Sequence, residues 1–128
     1  MMTLRHTHLY DYHKVHGKIV DFSGFEMPVW FEGVIPEHNA VRNAVGIFDT
    51  SHMGRIFVIG RDAEALLDNL VTNDVSRLEP MEGLYTVACN EHGGIKDDFI
   101  TYRLAEDRFF LVPNASNREK DFNWILEH

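Results

Sequence analysis

Three apolar stretches follow one another closely between residues 83 and 115. They read GLYTVACN (83–90), IKDDFITYRL (95–104) and RFFLVPNA (108–115), and they are rich in the β-branched and aromatic residues typical of strands. The short, turn-rich segments EHGG and AED separate them. Because short connections join antiparallel neighbours, the pattern predicts a three-strand antiparallel meander over residues 83–115. Pro113 would interrupt the last strand, which indicates an edge position or a bulge.

Two segments before the meander carry helical patterns. IPEHNAVRNAVG (35–46) has a proline near its start and an apolar face. RDAEALLDNLVTND (61–74) has a leucine stripe that follows Asp62, a candidate capping residue. The segment between them, IFDTSHMGRIFVIG (47–60), is expected to form a strand, a turn and a second strand.

A third helix is expected after the meander. SNRE (116–119) has the spacing of a capping box, and the helix that it opens is expected to bury Phe122 and Ile125, with Trp124 as a third candidate. The charged run 118–121 is interpreted as solvated surface. Short helices packed with a mostly antiparallel sheet define an α+β fold.

Length and charge narrow the possible partners and compartments. The 128 residues suggest one domain with a buried core, and the net charge of −8 disfavours a broad surface for nucleic acid or anionic membrane. No apolar run approaches the length of a membrane-spanning helix, and the N-terminal residues lack the apolar core of a signal peptide. With a single cysteine, the chain is expected to be cytoplasmic, or in the mitochondrial matrix if its source is eukaryotic.

The C-terminal residues indicate a piece of a longer protein. The sequence stops at DFNWILEH, inside a predicted helix. Residues 126–128 resemble the remnant of an expression tag. We therefore expect residues 1–125 to be a portion of a longer chain.

Two adjacent carboxylates in the second predicted strand are the main candidates for chemistry. Successive strand side chains point to opposite faces, so one of Asp97 and Asp98 can face water while the other faces whatever the sheet covers. Asp98 shares its face with Ile100 and Tyr102. If EHGG places Asn90 opposite Ile95, Tyr85 lies opposite Ile100 on that same face.

The third strand adds an amide to this group. If AED forms a three-residue loop, Asn114 lies opposite Asp98. Aromatic surface, one acid and one amide are suited to holding a flat, nitrogen-rich heterocycle by stacking and hydrogen bonds. The alternative is a purely structural role, because an aspartate near a turn is usually solvated and strand tyrosines usually pack half-buried.

A metal site is not indicated. The eight histidines are scattered, and neither HExxH nor CxxC occurs. We therefore predict no metal cofactor.

Blocks along nearly the whole chain, from residue 7 to about 124, resemble the T-protein of the glycine cleavage system, an aminomethyltransferase family. They occur in the family order with family-like spacing. The blocks are LYDYH…GKIVDFSGFEMPVWF, EHNAVRNAVGIFD, TSHMGRIFVIG, LVTNDVSRLEPMEGLYTVACNEHGGIKDDFITYRL and LVPNASNREKDFNW.

The resemblance implies roles for individual residues. The second aspartate of the GG-x-x-DD motif is the family's catalytic carboxylate and faces the bound tetrahydrofolate, which implies that Asp98 is the inward-pointing acid. The folate contacts implied on this segment are Tyr85, Ile100, Tyr102, Asn114 and, more loosely, Met53. The family's enzymes have three domains around a central cavity, so residues 1–125 would be the N-terminal folate-binding portion, with further folate contacts beyond residue 128.

The resemblance also implies a reaction and a partner. The aminomethyl group would move from the lipoyl arm of H-protein to tetrahydrofolate, releasing ammonia and forming 5,10-methylenetetrahydrofolate without a metal. The same architecture occurs in folate-dependent demethylases and in the folate domains of dimethylglycine and sarcosine dehydrogenases. A folate-binding relative that does not catalyse transfer is a further alternative, which the intact acid motif argues against.

The sequence departs from the family pattern one residue before the acid pair. Lys96 occupies a position that is usually aliphatic. Strand alternation puts it on the face of Asp98, where it is expected to offset the carboxylate charge.

Overall fold

The computed structural model describes residues 3–128 as two compact units, which divide between His52 and Met53. The elements of the first unit are α1 (Tyr10–His16), β1 (Ile19–Phe22), β2 (Phe25–Pro28) and α2 (Val34–Asn43). The second unit contains β3 (Ile56–Ile59), α3 (Ala63–Leu70), β4 (Gly83–Cys89), β5 (Ile95–Ala105), β6 (Arg108–Val112) and α4 (Arg118–Leu126). This mixture of short helices and antiparallel sheets confirms the predicted α+β class.

In the first unit, β1 and β2 form an antiparallel hairpin that the sequence reading missed. Ser23 and Gly24 connect the strands with φ values of 53° and 79°. Positive φ at both central residues is the requirement of a type I′ turn, whose twist matches that of the flanking strands. The signal was present as the dipeptide Ser-Gly between two apolar stretches.

The predicted helix of the first unit is present, but its apolar side chains face solvent. None of the ten α2 residues, all within the described chain, is buried, and Ile35 is 73% exposed. Its start is held by Glu37, whose Oε1 accepts the backbone N–H groups of Phe31, Glu32 and Gly33. These hydrogen bonds lower the pKa of the Glu37 carboxyl, so the carboxylate completes the helix N-terminus.

In the second unit the predicted meander is confirmed and extended. All neighbours of the sheet are antiparallel, and the strand order is β3-β6-β5-β4. The expected edge position of Pro113 is wrong, because β6 lies between β3 and β5, and the strand ends at Val112 just before the proline. The first half of the strand-turn-strand expectation is also wrong, since residues 47–49, which the structure describes, form no strand.

The register agrees with the sequence where the site lies and departs from it at the turn. Tyr85 pairs with Ile100 as expected, but Cys89, rather than Asn90, pairs with Ile95. The register shifts between Ala88 and Cys89, which leaves Lys96 as an extra residue in β5. This β-bulge restores the expected alignment from Asp97 onward.

One face of the sheet is covered by α3, α4 and the 3₁₀ turn Val75–Arg77. The expected burial of Ile125 and Trp124 is confirmed, but Phe122 is 46% exposed. The predicted capping box is wrong, because α4 begins after Asn117 and not after Ser116. The Asn117 side chain does not cap the helix, and its amide donates to Asp97. The core between sheet and helices contains Leu67, Leu70, Val75, Phe99, Phe109, Leu111, Trp124 and Ile125.

Candidate functional site

The two adjacent aspartates lie on opposite faces of β5, but the buried one is Asp97. Its residue is 5% exposed, among core positions such as Phe99 and Thr101. Asp98 is half-buried on the other face. The expectation that Asp98 points inward is therefore wrong in this chain, because α3 and α4 pack on the Asp97 side of the sheet.

The face that carries Asp98 is rich in aromatic and aliphatic side chains. Cross-strand pairing aligns them, with Tyr102 opposite Phe110 and Phe110 opposite Phe57. The ring centroids of Tyr102 and Phe110 are 6.3 Å apart, and those of Phe57 and Phe110 are 5.0 Å apart. We call this surface the open face; it comprises Phe57, Tyr85, Asp98, Ile100, Tyr102 and Phe110.

A glycine allows the Tyr102 ring to lie flat on the open face. Gly83 pairs with Tyr102 across the strands. A Cβ on Gly83 would lie 2.7 Å from both Cδ1 and Cε1 of that ring. An aromatic ring packed over a strand glycine covers backbone that would otherwise be exposed. The glycine therefore sets the orientation of a candidate stacking surface.

Asp98 has two polar neighbours, both of which the sequence placed beside it. The Tyr85 hydroxyl donates to Asp98 Oδ2 at 2.8 Å. Donation to the carboxylate raises the pKa of the Tyr85 hydroxyl, so the phenol stays protonated at neutral pH. Asn114 Nδ2 donates to the Asp98 carbonyl oxygen at 2.9 Å and lies 3.4 Å from Asp98 Oδ1. Asp98 Oδ2 therefore accepts a strong hydrogen bond, whereas Oδ1 accepts only a weak one.

Asn114 also connects the open face with the buried Asp97. Its Nδ2 donates to Asp97 Oδ1 at 3.0 Å, and its backbone N–H donates to Oδ2 at 3.3 Å. Asn117 Nδ2 is a third donor, 2.9 Å from Oδ1. Burial by itself raises the pKa of the Asp97 carboxyl, but hydrogen bonds from Asp121, Asn114 and Asn117 outweigh burial and lower it.

The structure also places Asp121 in this buried cluster, so the interpretation of the whole run 118–121 as solvated surface is wrong at this residue. Asp121 is 1% exposed. Burial and the neighbouring Asp97 carboxylate raise the pKa of Asp121 to about 7. The signal that would have found it is the spacing of Asn114, Asn117 and Asp121, which at three and four residues repeats along one side of a helical turn.

The remaining candidate, Met53, lies half-buried in the turn before β3. The next residue holds this turn against the end of β6, because Gly54 N–H donates to the Pro113 carbonyl at 2.9 Å. A Cβ on Gly54 would lie 2.6 Å from Pro113 Cγ and 2.8 Å from Arg118 Cβ, so the close approach requires glycine. The turn thus runs beside the segment that carries Asn114.

The expected proximity of Lys96 to Asp98 is not what the structure shows. The Lys96 ammonium lies 5.2 Å from the centroid of the Trp124 ring. Trp124 belongs to the core on the covered face of the sheet, opposite the face of Asp98. The bulge at Lys96 interrupts strand alternation, which explains why its side chain does not follow the Asp98 face.

Residues 3–128 contain neither a metal-binding cluster nor a membrane-spanning helix. No group of three or more His, Cys, Asp or Glu side chains in this range is arranged to hold a metal ion. Within the same range no helix is both long enough and apolar enough to cross a membrane.

Comparison with known proteins identifies the family. The model of the GCVT N-terminal domain matches residues 9–128. An aminomethyltransferase of Thermoanaerobacter sp. (strain X514) is 50% identical over 100% of this chain and 35% of its own length. One of Clostridium botulinum (strain 657 / Type Ba4) is 52% identical over 91% of this chain and 32% of its own.

A solved structure agrees in fold. The glycine cleavage system aminomethyltransferase T from Bartonella henselae superimposes with a TM-score of 0.91 and 39% sequence identity, covering 97% of this chain and 35% of that one. The chain thus spans about a third of the length of the relatives that it matches. The resemblance drawn from the sequence blocks is confirmed, and the chain belongs to the GCVT N-terminal domain family.

Proposed function

We propose that residues 1–125 form the N-terminal folate-binding portion of an aminomethyltransferase, and that they supply its catalytic carboxylate. The observation that carries the proposal is Asp98 at the margin of the open face. Its carboxylate lies between the Tyr85 hydroxyl and the Asn114 amide, on the strand face that also carries Tyr102. Membership of the family supports this role.

The proposed reaction transfers an aminomethyl group from the lipoyl arm of H-protein to tetrahydrofolate. Its products are ammonia, 5,10-methylenetetrahydrofolate and the reduced dihydrolipoyl carrier. The names of the relatives, aminomethyltransferases and an aminomethyltransferase T of the glycine cleavage system, favour this donor over a methylated amine. Lipoylated H-protein is the macromolecular partner that follows.

The open face fits a folate in its chemistry. The near-parallel rings of Tyr102 and Phe110, tilted by 28°, and the side chain of Ile100 offer a flat apolar surface for a heterocycle. Asp98 at the margin of this surface is an acceptor for an N–H of the folate. We assign folate contacts to Tyr85, Ile100, Tyr102 and Asn114, and a lining position to Met53.

Asp98 would act through its charge and its capacity for a proton. As the folate amine attacks the aminomethyl carbon, positive charge develops on the nitrogen, and a nearby carboxylate stabilises that charge. The same carboxylate can accept the proton that the amine loses. The Tyr85 hydroxyl holds Oδ2, which leaves Oδ1, with its long 3.4 Å contact from Asn114, as the more available acceptor.

The test uses the full-length parent protein with purified H-protein that carries the aminomethyl group. Methylenetetrahydrofolate and ammonia are measured together in single-turnover reactions, because one reports the acceptor and the other the leaving group. Formation of both at equal yield supports the proposal. Transfer from dimethylglycine or sarcosine instead would replace it with the demethylase alternative, and folate binding without any transfer would leave only a binding role.

A further inference from the structure

We propose that Asp97 and Asp121 form a buried carboxyl pair that shares one proton, and that this pair positions Asn114 and, through it, the Asp98 carboxylate. The inference rests on the proposed function for the catalytic importance of Asp98. The pair itself rests on the burial of both carboxyls, on the N–H donors around Asp97 and on the contact between the two side chains. Asp97 and Asp121 would be positioning residues, since neither reaches the open face.

The hydrogen bonds around the pair require a proton. Asp97 and Asp121 are 5% and 1% exposed. If Asp121 were ionised, both its oxygens would be buried without a hydrogen-bond donor among residues 3–128. The Lys120 ammonium lies 3.6 Å from Asp121 Oδ1, beyond the usual N–H···O distance, and it donates to the Lys96 carbonyl oxygen. If Asp121 carries a proton, its carboxyl becomes a hydrogen-bond donor to Asp97 and is no longer without a partner.

The donors around Asp97 identify it as the ionised partner. Its two oxygens accept the side-chain N–H groups of Asn114 and Asn117 and the backbone N–H of Asn114. A carboxylate that accepts several N–H groups favours its charged form, and a second carboxyl beside it is then held protonated. The Lys120 ammonium partly offsets the rise in the pKa of Asp121, and the backbone N–H of Asp98 helps to lower the pKa of Asp97.

The pair reaches the candidate catalytic acid through one amide group. Asn114 Nδ2 contacts Asp97 Oδ1 at 3.0 Å, the Asp98 carbonyl at 2.9 Å and Asp98 Oδ1 at 3.4 Å. Asp97 and Asp98 are adjacent on one strand and lie on opposite faces of the sheet. The buried Asp97 carboxylate therefore fixes the Asn114 amide, which in turn flanks the Asp98 carboxylate on the open face. Deprotonation of Asp121 would set two buried charges against each other and loosen this amide.

The first experiment tests the pair without any folate chemistry. Infrared difference spectra of the full-length protein are recorded as the pH rises from 5 to 9, for the parent, Asp121→Asn and Asp107→Asn. We expect a protonated-carboxyl band that is lost with a midpoint near pH 7, that is missing from Asp121→Asn, and that persists in Asp107→Asn, whose exposed acid is the control. A band unchanged by Asp121→Asn, or no band in the parent, overturns the pair.

The second experiment tests positioning by a readout independent of activity. The side-chain amide resonances of Asn114, assigned by their loss in Asn114→Ala, are followed by NMR in the full-length protein. Asp121→Ala, which removes the donor, should shift and broaden them at every pH. Asp121→Asn, which keeps a donor but cannot titrate, should keep them sharp from pH 6 to 8. Unchanged resonances in Asp121→Ala would show that the pair does not hold Asn114.

The third experiment connects the pair with transfer. We expect Asp121→Ala to lower the single-turnover rate by about 10²-fold, the scale of a small misplacement of a reacting group, while the apparent affinity for folate changes much less. Asp121→Asn should recover most of this loss and flatten the decline of rate above pH 7. An equal loss for both variants would contradict positioning by a hydrogen bond. If the parent itself transfers no aminomethyl group, the proposed function fails, and the first two experiments still decide the pair.

Discussion

At the residue scale, identical side chains one position apart have different environments. Asp98 is half-buried and accepts a hydroxyl, whereas Asp97 is buried and accepts three N–H groups. Removing the acceptor oxygens of a buried carboxylate leaves the surrounding N–H donors unsatisfied, which costs about 1–3 kcal/mol. Replacing a half-buried carboxylate such as that of Asp98 by an amide should change the free energy of unfolding little. Stability and catalysis should therefore separate at these two positions.

The substitution Asp98→Asn in the full-length protein is expected to lower the transfer rate by about 10²–10⁴-fold, the usual effect of removing a positioned acid–base group. The melting temperature should change little, because the amide oxygen can still accept the Tyr85 hydroxyl. Single-turnover assays and thermal melts measure both quantities. A variant that melts early but reacts at the parent rate would remove Asp98 from the catalytic role.

The matched substitution Asp97→Asn is expected to lower the free energy of unfolding by about 1–3 kcal/mol, since its new NH₂ group meets the donors of the surrounding amides. Its rate should fall less than that of Asp98→Asn. Denaturant unfolding of both variants, compared with Asp107→Asn, gives the measurement. Equal stability of the Asp97→Asn variant and the parent would mean that the buried cluster contributes nothing to folding.

The stability of the fold should also depend on pH through Asp121. Its pKa is raised from 3.8 in the unfolded chain to about 7 in the folded one, so the folded state binds one more proton between these values. Its contribution to stability is therefore fully present below pH 4 and is lost as pH rises through 7, by at most about 1.4 kcal/mol per pH unit.

The measurement for this dependence is the melting temperature at pH 5, 6, 7 and 8. Relative to the parent, Asp121→Asn should gain stability steadily up to pH 7 and then level off. Asp107→Asn should track the parent throughout, since its carboxyl is exposed. A constant difference between Asp121→Asn and the parent across this range would show that Asp121 has an ordinary pKa.

At the scale of elements, hairpin β4–β5 carries most of the site. Its register sets Tyr85 opposite Ile100 and Gly83 opposite Tyr102, so the strand that supplies the acid also supplies two of the proposed folate contacts. The bulge at Lys96 lies between the turn and the acid pair. The bulge accommodates the one-residue offset between the pairing of Cys89 with Ile95 near the turn and the pairing of Ala88 with Asp97 at the acid pair. A slip of one residue along the strand would instead move its side chains to the opposite face.

Substituting Gly83→Ala tests the shape of this hairpin. The new Cβ would lie 2.7 Å from two atoms of the Tyr102 ring and must push the ring off the sheet. Loss of an aromatic stacking contact costs about 0.5–1.5 kcal/mol, so tetrahydrofolate binding by the full-length protein should weaken by roughly two- to twelvefold. Titration calorimetry measures the affinity, and Tyr102→Ala is the reference. If Gly83→Ala binds tetrahydrofolate like the parent while Tyr102→Ala binds it more weakly, folate binding needs the Tyr102 ring but not the orientation that Gly83 allows.

At the scale of the whole molecule, the described chain exposes apolar surface in both units. In the first unit, Val45, Ile47 and Phe48 are 70–96% exposed, and in the second the open face exposes Phe57 and Tyr85 by more than half. Apolar surface of this kind marks sites of binding or association. The relatives are about three times longer than this chain, and their additional residues are available to cover such surface.

Residues 1–128 alone are therefore expected to give no transfer above background with H-protein and tetrahydrofolate. The physical reason is that an exposed wall neither excludes water nor fixes both reactants near the acid. The single-turnover assay used for the full-length protein makes this comparison directly, with the same amount of Asp98→Asn full-length protein as the lower reference. Turnover by the short chain at a rate near that of the full-length parent would show that one wall is sufficient.

Local patterns in the sequence were sufficient for the meander, the pairing of Tyr85 with Ile100, and the placement of Asn114 beside Asp98. These features depend on strand alternation and on short turns, which act between residues close in the chain. The same rules put Asp97 and Asp98 on opposite faces. The family, too, was recognisable from motifs in their order along the chain.

Tertiary structure alone decided which aspartate is buried. Alternation defines two faces, but the covered one is chosen by where α3 and α4 pack, and that choice comes from apolar contacts between distant elements. For the same reason β6 became an interior strand, because β3 pairs with it from about fifty residues away along the chain. Asp121 reads as surface in a charged run until the fold brings it to Asp97, since its burial depends on a partner more than twenty residues away.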